Sequence, residues 1–283
     1  MDPIAFEEYS SDRRPNPEND ELKVCRDVLA HPYDWRRFDR LVGGVAEELT
    51  RWPEVNRLVV VGGGCGFEAA WIVRRCSRIS QVIVSDIGHR ACSLSRRTFS
   101  RLGVPEPSAL VCDFNHLAFG DGQFGPETCG LAFRCLHHSD CIETPIAEMM
   151  RVFDRLIVVE PVWNALVRFL AAWGYANREE HVAGHVPTRV SIEALPKTGW
   201  QIRKRFLLEA PRDRLPGLQA RQGVFGTEDV SRREKYLSNV YDRIVCAVGG
   251  LADVFKLGNY VQLTFCRERT VQGRLTTGQV SGN

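Results

Sequence analysis

The run Arg57-Leu58-Val59-Val60-Val61-Gly62-Gly63-Gly64-Cys65-Gly66 restricts the possible folds more than any other stretch of the chain. Leu58 to Val61 is continuously apolar and mostly β-branched, the pattern of a strand buried on both faces, and it stops abruptly at glycines. The next residues, Phe67 to Arg75, carry Ala69, Ala70, Ile72 and Val73 at helical spacing. A strand that turns through glycine straight into a helix brings a bare backbone and the helix's N-terminal N–H groups to one place. That is the chemistry of a cradle for a nucleotide-type cofactor. A tight strand-to-helix turn in any α/β protein has the same look, so the residues downstream of the turn decide between the two readings.

Four more strands come after it at the spacing of βα units. Gln81 to Asp86 is a short apolar strand closing in an acid, twenty residues past Gly66. In a right-handed βαβ unit, the end of the second strand lies beside the first glycine turn, where a carboxylate can accept hydrogen bonds from ribose hydroxyls. Asp86 is also suited to cap the helix expected over 87–102, and the two roles are compatible, with the ribose role favoured. Ala109 to Cys112 ends at Asp113-Phe114, Gly130 to Leu136 runs into His137-His138-Ser139-Asp140, and Arg155 to Val159 closes in Glu160-Pro161. A helix over about 142–153 lies between the last two. Strands and helices alternate over this region with polar residues at the strands' C-terminal ends. This specifies a doubly wound α/β sheet with its site along that edge.

Ahead of the first strand, helices are expected over 21–29 and 35–49, after a polar, proline-bearing start that contains Tyr9. Beyond Pro161, 162–175 reads as an apolar helix with Trp163 and Tyr175, and a short helix is expected near 192–195. Trp200 to Leu208 and Tyr260 to Arg267 read as sixth and seventh strands paired antiparallel. The roughly fifty residues between them are too many for a bare loop and carry helical spacing from Leu237 to Val248. The expected organisation is an N-terminal helical lid or cap over 1–56, a main domain over 57–269 with a helical insertion at about 214–257, and a flexible tail over 270–283.

Several function classes are disfavoured. The formal charge is +2 with the basic residues scattered, which argues against nucleic acid as the main partner. No apolar run has the length of a membrane span, and the first residues lack the pattern of a secretory signal, so a cytoplasmic protein is expected. Ten cysteines in a large chain, many inside apolar segments, are expected to be mostly buried thiols. Cys129, Cys135, His137, His138 and Cys141 match no zinc spacing, and no metal is expected.

The order of these features resembles the class I S-adenosylmethionine-dependent methyltransferases with small-molecule acceptors, from about Leu41 to Arg269 and best over 57–161. Gly62, Gly64 and Gly66 match that family's GxGxG turn, and Asp121 to Phe124 resembles its DGSFD before the fourth strand. Leu136 to Asp140 resembles its LHHxxD, with the acid one position early, and Gly125 stands where DGSFD ends in Asp. The resemblance implies a seven-stranded Rossmann-like sheet and S-adenosylmethionine as cofactor, with S-adenosylhomocysteine as product. It assigns Gly62, Gly63, Gly64, Gly66, Asp86, Ile87, Asp113, Phe114 and Arg134 to the cofactor, with Asp86 on the ribose and Asp113-Phe114 at the adenine. The family usually has an acid two residues before the first glycine; this chain has Val60, and Glu68 is a nearby acid available to compensate.

Methyl transfer to most oxygen acceptors requires removal of a proton, and histidine suits that task near neutral pH. Candidate catalytic residues are His137 and His138 after the fourth strand, and His181 and His185, four apart. Tyr9, Glu160, Trp163 and Tyr175 are candidates for contact with the acceptor, although core packing accounts for the tryptophan equally well. The expected activity is methyl transfer to a small organic molecule in specialised biosynthesis. Two alternatives stay open: a cofactor-binding relative that catalyses a cyclisation or rearrangement, and a degenerate scaffold, to which Val60 points. The helical insertion is an expected lid or homodimer surface.

Overall fold

The computed structural model describes residues 39–162, 199–207 and 260–268. Its elements, in chain order, are α1 (Asp39–Thr50), β1 (Arg57–Val61), α2 (Phe67–Arg75), β2 (Gln81–Asp86), α3 (His89–Leu102), β3 (Ser108–Val111) and β4 (Thr128–Phe133). A 3-10 turn (Leu136–His138), α4 (Glu143–Val152), β5 (Arg155–Pro161), β6 (Trp200–Leu207) and β7 (Tyr260–Arg267) complete them. The seven strands form one sheet in the order β3-β2-β1-β4-β5-β7-β6. The first five strands run parallel. β7 lies antiparallel between β5 and β6, as expected of the last two strands.

Alternate residues of β1 serve two separate cores, because successive side chains of a strand point to opposite faces. Leu58 and Val60 pack with Leu41, Val42, Val45 and Leu49 of α1 and with Ile72 and Val73 of α2. Val59 and Val61 pack on the other face with Ile146, Met149 and Met150 of α4 and with Phe153. Helices cover both faces, which is why β1 reads as an unbroken apolar run. α1, part of the expected N-terminal cap, is built into the first of these cores rather than standing apart from it. It is also tied to the sheet's far edge: Glu48 pairs with Arg203 of β6, and Glu47 with Arg205 at 2.7 Å.

Of the element boundaries that differ from expectation, two shape the C-terminal edge of the parallel strands. β4 ends at Phe133 instead of Leu136, because Arg134 adopts a left-handed backbone with φ of 57° and takes the chain out of the sheet. α3 begins at His89, two residues later than expected, with Gly88 as its N-cap. The helices expected over 21–29, 162–175 and 192–195, the insertion at 214–257 and the tail lie outside the described residues. Among the described residues no helix is long and apolar enough to cross a membrane.

Candidate active site

The glycine turn stands at the centre of the edge. Gly62 and Gly64 both have left-handed backbones, with φ of 63° and 51°. A Cβ on Gly62 would lie 2.8 Å from Cβ and Sγ of Cys135 and 3.5 Å from the Phe114 ring, so the turn is seated on the segments after β4 and β3. Cys135 strengthens the seat, its thiol bonding the Val61 carbonyl at 3.1 Å. Among the described residues, a Cβ on Gly64 would meet nothing within 4 Å. The backbone at Gly64 therefore borders open space, as a cradle for a ligand requires. Gly63 plays a different part: a Cβ there would run into Val84 and Val60, so its small size serves packing against the strands.

Asp86 closes the cradle from β2. Its Oδ2 accepts the Gly64 N–H at 2.8 Å and its Oδ1 accepts the Gly88 N–H at 2.9 Å. The carboxylate thus binds the glycine turn and the segment that leads into α3 at once; it does not cap that helix as expected, because the N-cap is Gly88 and no side chain bonds the first turn. Burial pushes its pKa above the ordinary value, and the N–H groups of Gly88, Gly64 and Ile87 oppose that rise. A carboxylate has about four acceptor positions, so capacity for a ribose hydroxyl remains. Asp113 accepts from the Asn115 backbone at 2.8 Å and from its side chain at 3.2 Å, which fixes the turn that holds Phe114 beside the glycines.

Val60, where the family's acid is usual, is 2% exposed and belongs to the core below the turn, so it makes no contact with a ligand above it. Glu68, in the first turn of α2, is the acid that flanks the glycines. Burial raises its pKa, and the positive charge of Arg134 draws it back down. Arg134 itself is held by its N–H on the Val159 carbonyl at 2.8 Å, with its guanidinium 5.8 Å over the Tyr260 ring. Glu68 and Arg134 therefore act on each other electrostatically, an acid and a base of opposite charge. This is a charge pair suited to the ammonium and carboxylate of an amino-acid moiety.

His137 and His138 occupy the 3-10 turn after β4, the first buried and the second exposed, with ring centroids 4.2 Å apart. His137 Nδ1 lies 2.8 Å from Oε2 of Glu160. Glu160 itself is 0% exposed, which corrects the expectation that it contacts an acceptor: its carboxyl is enclosed by the chain. Sequence reasoning missed this contact, whose one signal is an acid at the end of a strand beside the strand that leads to the histidines. The other candidates, Tyr9, Trp163, Tyr175, His181 and His185, lie outside the described residues. Of the described cysteines, Cys76, Cys92, Cys112, Cys129 and Cys135 are buried thiols, Cys141 is exposed and Cys266 half-buried. The exception is Cys65 in the glycine turn, which is disulfide-bonded. Among the described residues no group of three or more His, Cys, Asp or Glu is arranged to hold a metal ion.

Comparison with solved structures finds the same overall fold. The [4+2]-cyclase SpnF superposes with a TM-score of 0.52 over 82% of each chain at 19% identity. A chain of the solved complex of the Haloferax volcanii Trm112 methyltransferase activator gives 0.53 over 87% of this chain and 98% of that one, at 14% identity. The fold is the Rossmann-like methyltransferase fold. A curated relative, the ubiquinone/menaquinone biosynthesis C-methyltransferase UbiE of Cupriavidus pinatubonensis, is 29% identical over 116 residues, covering 39% of this chain and 46% of that protein. The chain thus spans about half the length of the curated relative it matches. No family model matches the chain. The turn after β1, Asp86 at the end of β2 and Asp113-Phe114 after β3 all lie on the C-terminal edge of the parallel strands.

Proposed function

We propose that this chain is a methyltransferase that binds S-adenosylmethionine along the edge formed by Gly62, Gly64, Gly66, Asp86, Ile87, Asp113 and Phe114 and methylates a small organic acceptor in specialised biosynthesis. The observation that carries the reading is Asp86, bonded to the Gly64 N–H beside a glycine whose missing side chain leaves open space. Asp86 would hold the ribose, and Phe114 would flank the adenine. Glu68 and Arg134 would face the amino-acid end and take the place of the acid absent at Val60. When bound, the cofactor supplies an electrophilic methyl group: the sulfur–methyl bond breaks with its electron pair staying on sulfur, and the methyl carbon bonds to the acceptor. The chain's own task is to align the acceptor at near-attack distance and to remove its proton. His137 and His138 are on the edge where that happens, and His181 and His185 are further candidates. Tyr9, Trp163 and Tyr175 would wall the acceptor, and the insertion at about 214–257 would close over it or join two copies. A cytoplasmic location fits this chemistry.

A second reading is favoured by the likeness to SpnF, whose name is that of a [4+2]-cyclase. In that case the same cofactor edge serves a reaction that transfers no methyl group. The degenerate-scaffold reading differs from both in predicting no cofactor binding. Incubation with methyl-labelled S-adenosylmethionine and a panel of phenolic and quinone-like acceptors tests the proposal. It predicts labelled acceptor and an equal amount of S-adenosylhomocysteine for at least one compound class. Tight cofactor binding with no label transferred to any class would favour the cyclase reading instead.

A further inference from the structure

β5 outlasts β4. The last register pair between them joins Phe133 to Val159, so Glu160 lies one residue beyond the end of β4, beside the segment that leaves it. That segment turns across the carboxylate. Cys135 N–H and Leu136 N–H donate to Oε1 at 2.9 and 2.8 Å, and Oε2 faces His137 Nδ1 at 2.8 Å. Glu160 is wholly buried and surrounded by donors, as a buried carboxylate must be if it is to stay charged. An ionised carboxylate only accepts hydrogen bonds, so the proton between it and His137 belongs to Nδ1. The tautomer of the ring is set by the network, and the neutral ring carries its lone pair on Nε2. Among the described residues no hydrogen-bond partner reaches Nε2.

We propose that Glu160 is a positioning residue that fixes His137 as the base of the reaction, with Nδ1–H on the carboxylate and Nε2 free to accept the acceptor's proton. This rests on the methyl-transfer reading. As the acceptor atom takes the methyl carbon, its proton passes to Nε2, and the imidazolium is stabilised by Glu160 until the proton leaves to water. The selection of His137 over its exposed neighbour His138 comes from the carboxylate at Nδ1. The same division of labour, an acid that orients a histidine without itself being protonated, operates in hydrolase triads, where an amide substitution leaves the geometry intact but imposes the wrong tautomer.

The alternative is that Glu160 merely caps the turn after β4, and Glu160→Gln separates the two. The amide oxygen still accepts from Cys135 and Leu136, so the turn is kept. Its NH2 faces Nδ1 as a donor, which forces the ring proton onto Nε2. Nitrogen–proton correlation spectra of isotope-labelled histidine in the full chain with S-adenosylhomocysteine, taken at alkaline pH, read the tautomer directly, and loss of one ring signal in His137→Asn assigns it. The expected result is a protonated Nδ1 and bare Nε2 in the wild type, reversed in Glu160→Gln. A wild-type ring protonated at Nε2, or a tautomer unchanged by Glu160→Gln, overturns the proposal. The wild-type spectrum decides alone if the variant does not fold. S-adenosylhomocysteine affinity should stay within about twofold in Glu160→Gln, and a loss of about tenfold or more would make Glu160 part of cofactor binding instead. Failure of every form to bind S-adenosylhomocysteine would sink the methyl-transfer reading separately from the tautomer result.

Discussion

Gly64 and Gly103 form a matched pair. Both have left-handed backbones, with φ of 51° and 64°, and among the described residues a Cβ on either meets nothing within 4 Å. Replacement by alanine places an L side chain in that region at a cost of about 1–2 kcal/mol. Each variant should therefore lose about that much unfolding free energy, with no added penalty from collision. They differ in place. Gly103 caps the C-terminal end of α3, which runs back from the cofactor edge towards the start of β3. Gly64 borders the space assigned to the cofactor, and its N–H is held by Asp86. In Gly64→Ala the added methyl fills part of that space, and S-adenosylhomocysteine affinity should fall at least tenfold, which corresponds to about 1.4 kcal/mol. Gly103→Ala should bind as the wild type does. Urea unfolding gives the stability half of the comparison and calorimetry the binding half. Equal affinity in all three proteins, with both variants folded, would refute the assignment of the open space at Gly64 to the cofactor.

Burial raises the pKa of Asp86, so in the fold it takes up its proton at a higher pH than an exposed aspartate does. The sign for stability is that this group favours the fold below its unfolded pKa, and the benefit is lost as pH rises through the folded value. Cofactor affinity has the opposite sign: it should weaken as pH falls through that raised pKa, and calorimetry across mildly acid pH should show a step that Asp86→Asn lacks. Glu148 behaves in reverse, its pKa lowered first of all by its hydrogen bonds from Arg151 at 2.5 and 2.8 Å. Its contribution is present above the unfolded pKa and lost as pH falls through the folded one. Glu148→Gln should thus be less stable than the wild type at neutral pH, with the two unfolding curves converging in acid. Phe153 is fully buried and stacked on Phe124 at 5.2 Å, so Phe153→Ala should cost about 3–5 kcal/mol in urea unfolding, and less than about 1 would contradict its core position.

Local chemistry made much of this molecule readable. β1 was legible because a strand covered by helices on both faces must be apolar at every position, and the glycine turn because it interrupts that run so sharply. Asp86 was legible through the handedness of βαβ units, which puts the second strand's end beside the first turn although 22 residues separate Asp86 from Gly64. The end of β4 was not: Arg134 takes a backbone conformation that glycine usually supplies, and nothing in its side chain announces it. The bond from Glu160 to His137 was equally hidden, since it depends on β5 running one residue past β4 and on the turn that Arg134 begins. Val60 could be seen as a missing acid, but only packing shows that it lies in the core beneath the turn while Glu68 stands beside it.

Calorimetric titration of the full chain with S-adenosylhomocysteine, run beside Asp86→Ala, decides whether the glycine edge holds the cofactor. The account predicts saturable binding to one site per chain, weakened by roughly 1.5–3 kcal/mol in the variant, the scale of hydrogen bonds to a charged group. No binding up to millimolar concentration, or an affinity indifferent to Asp86, would contradict it.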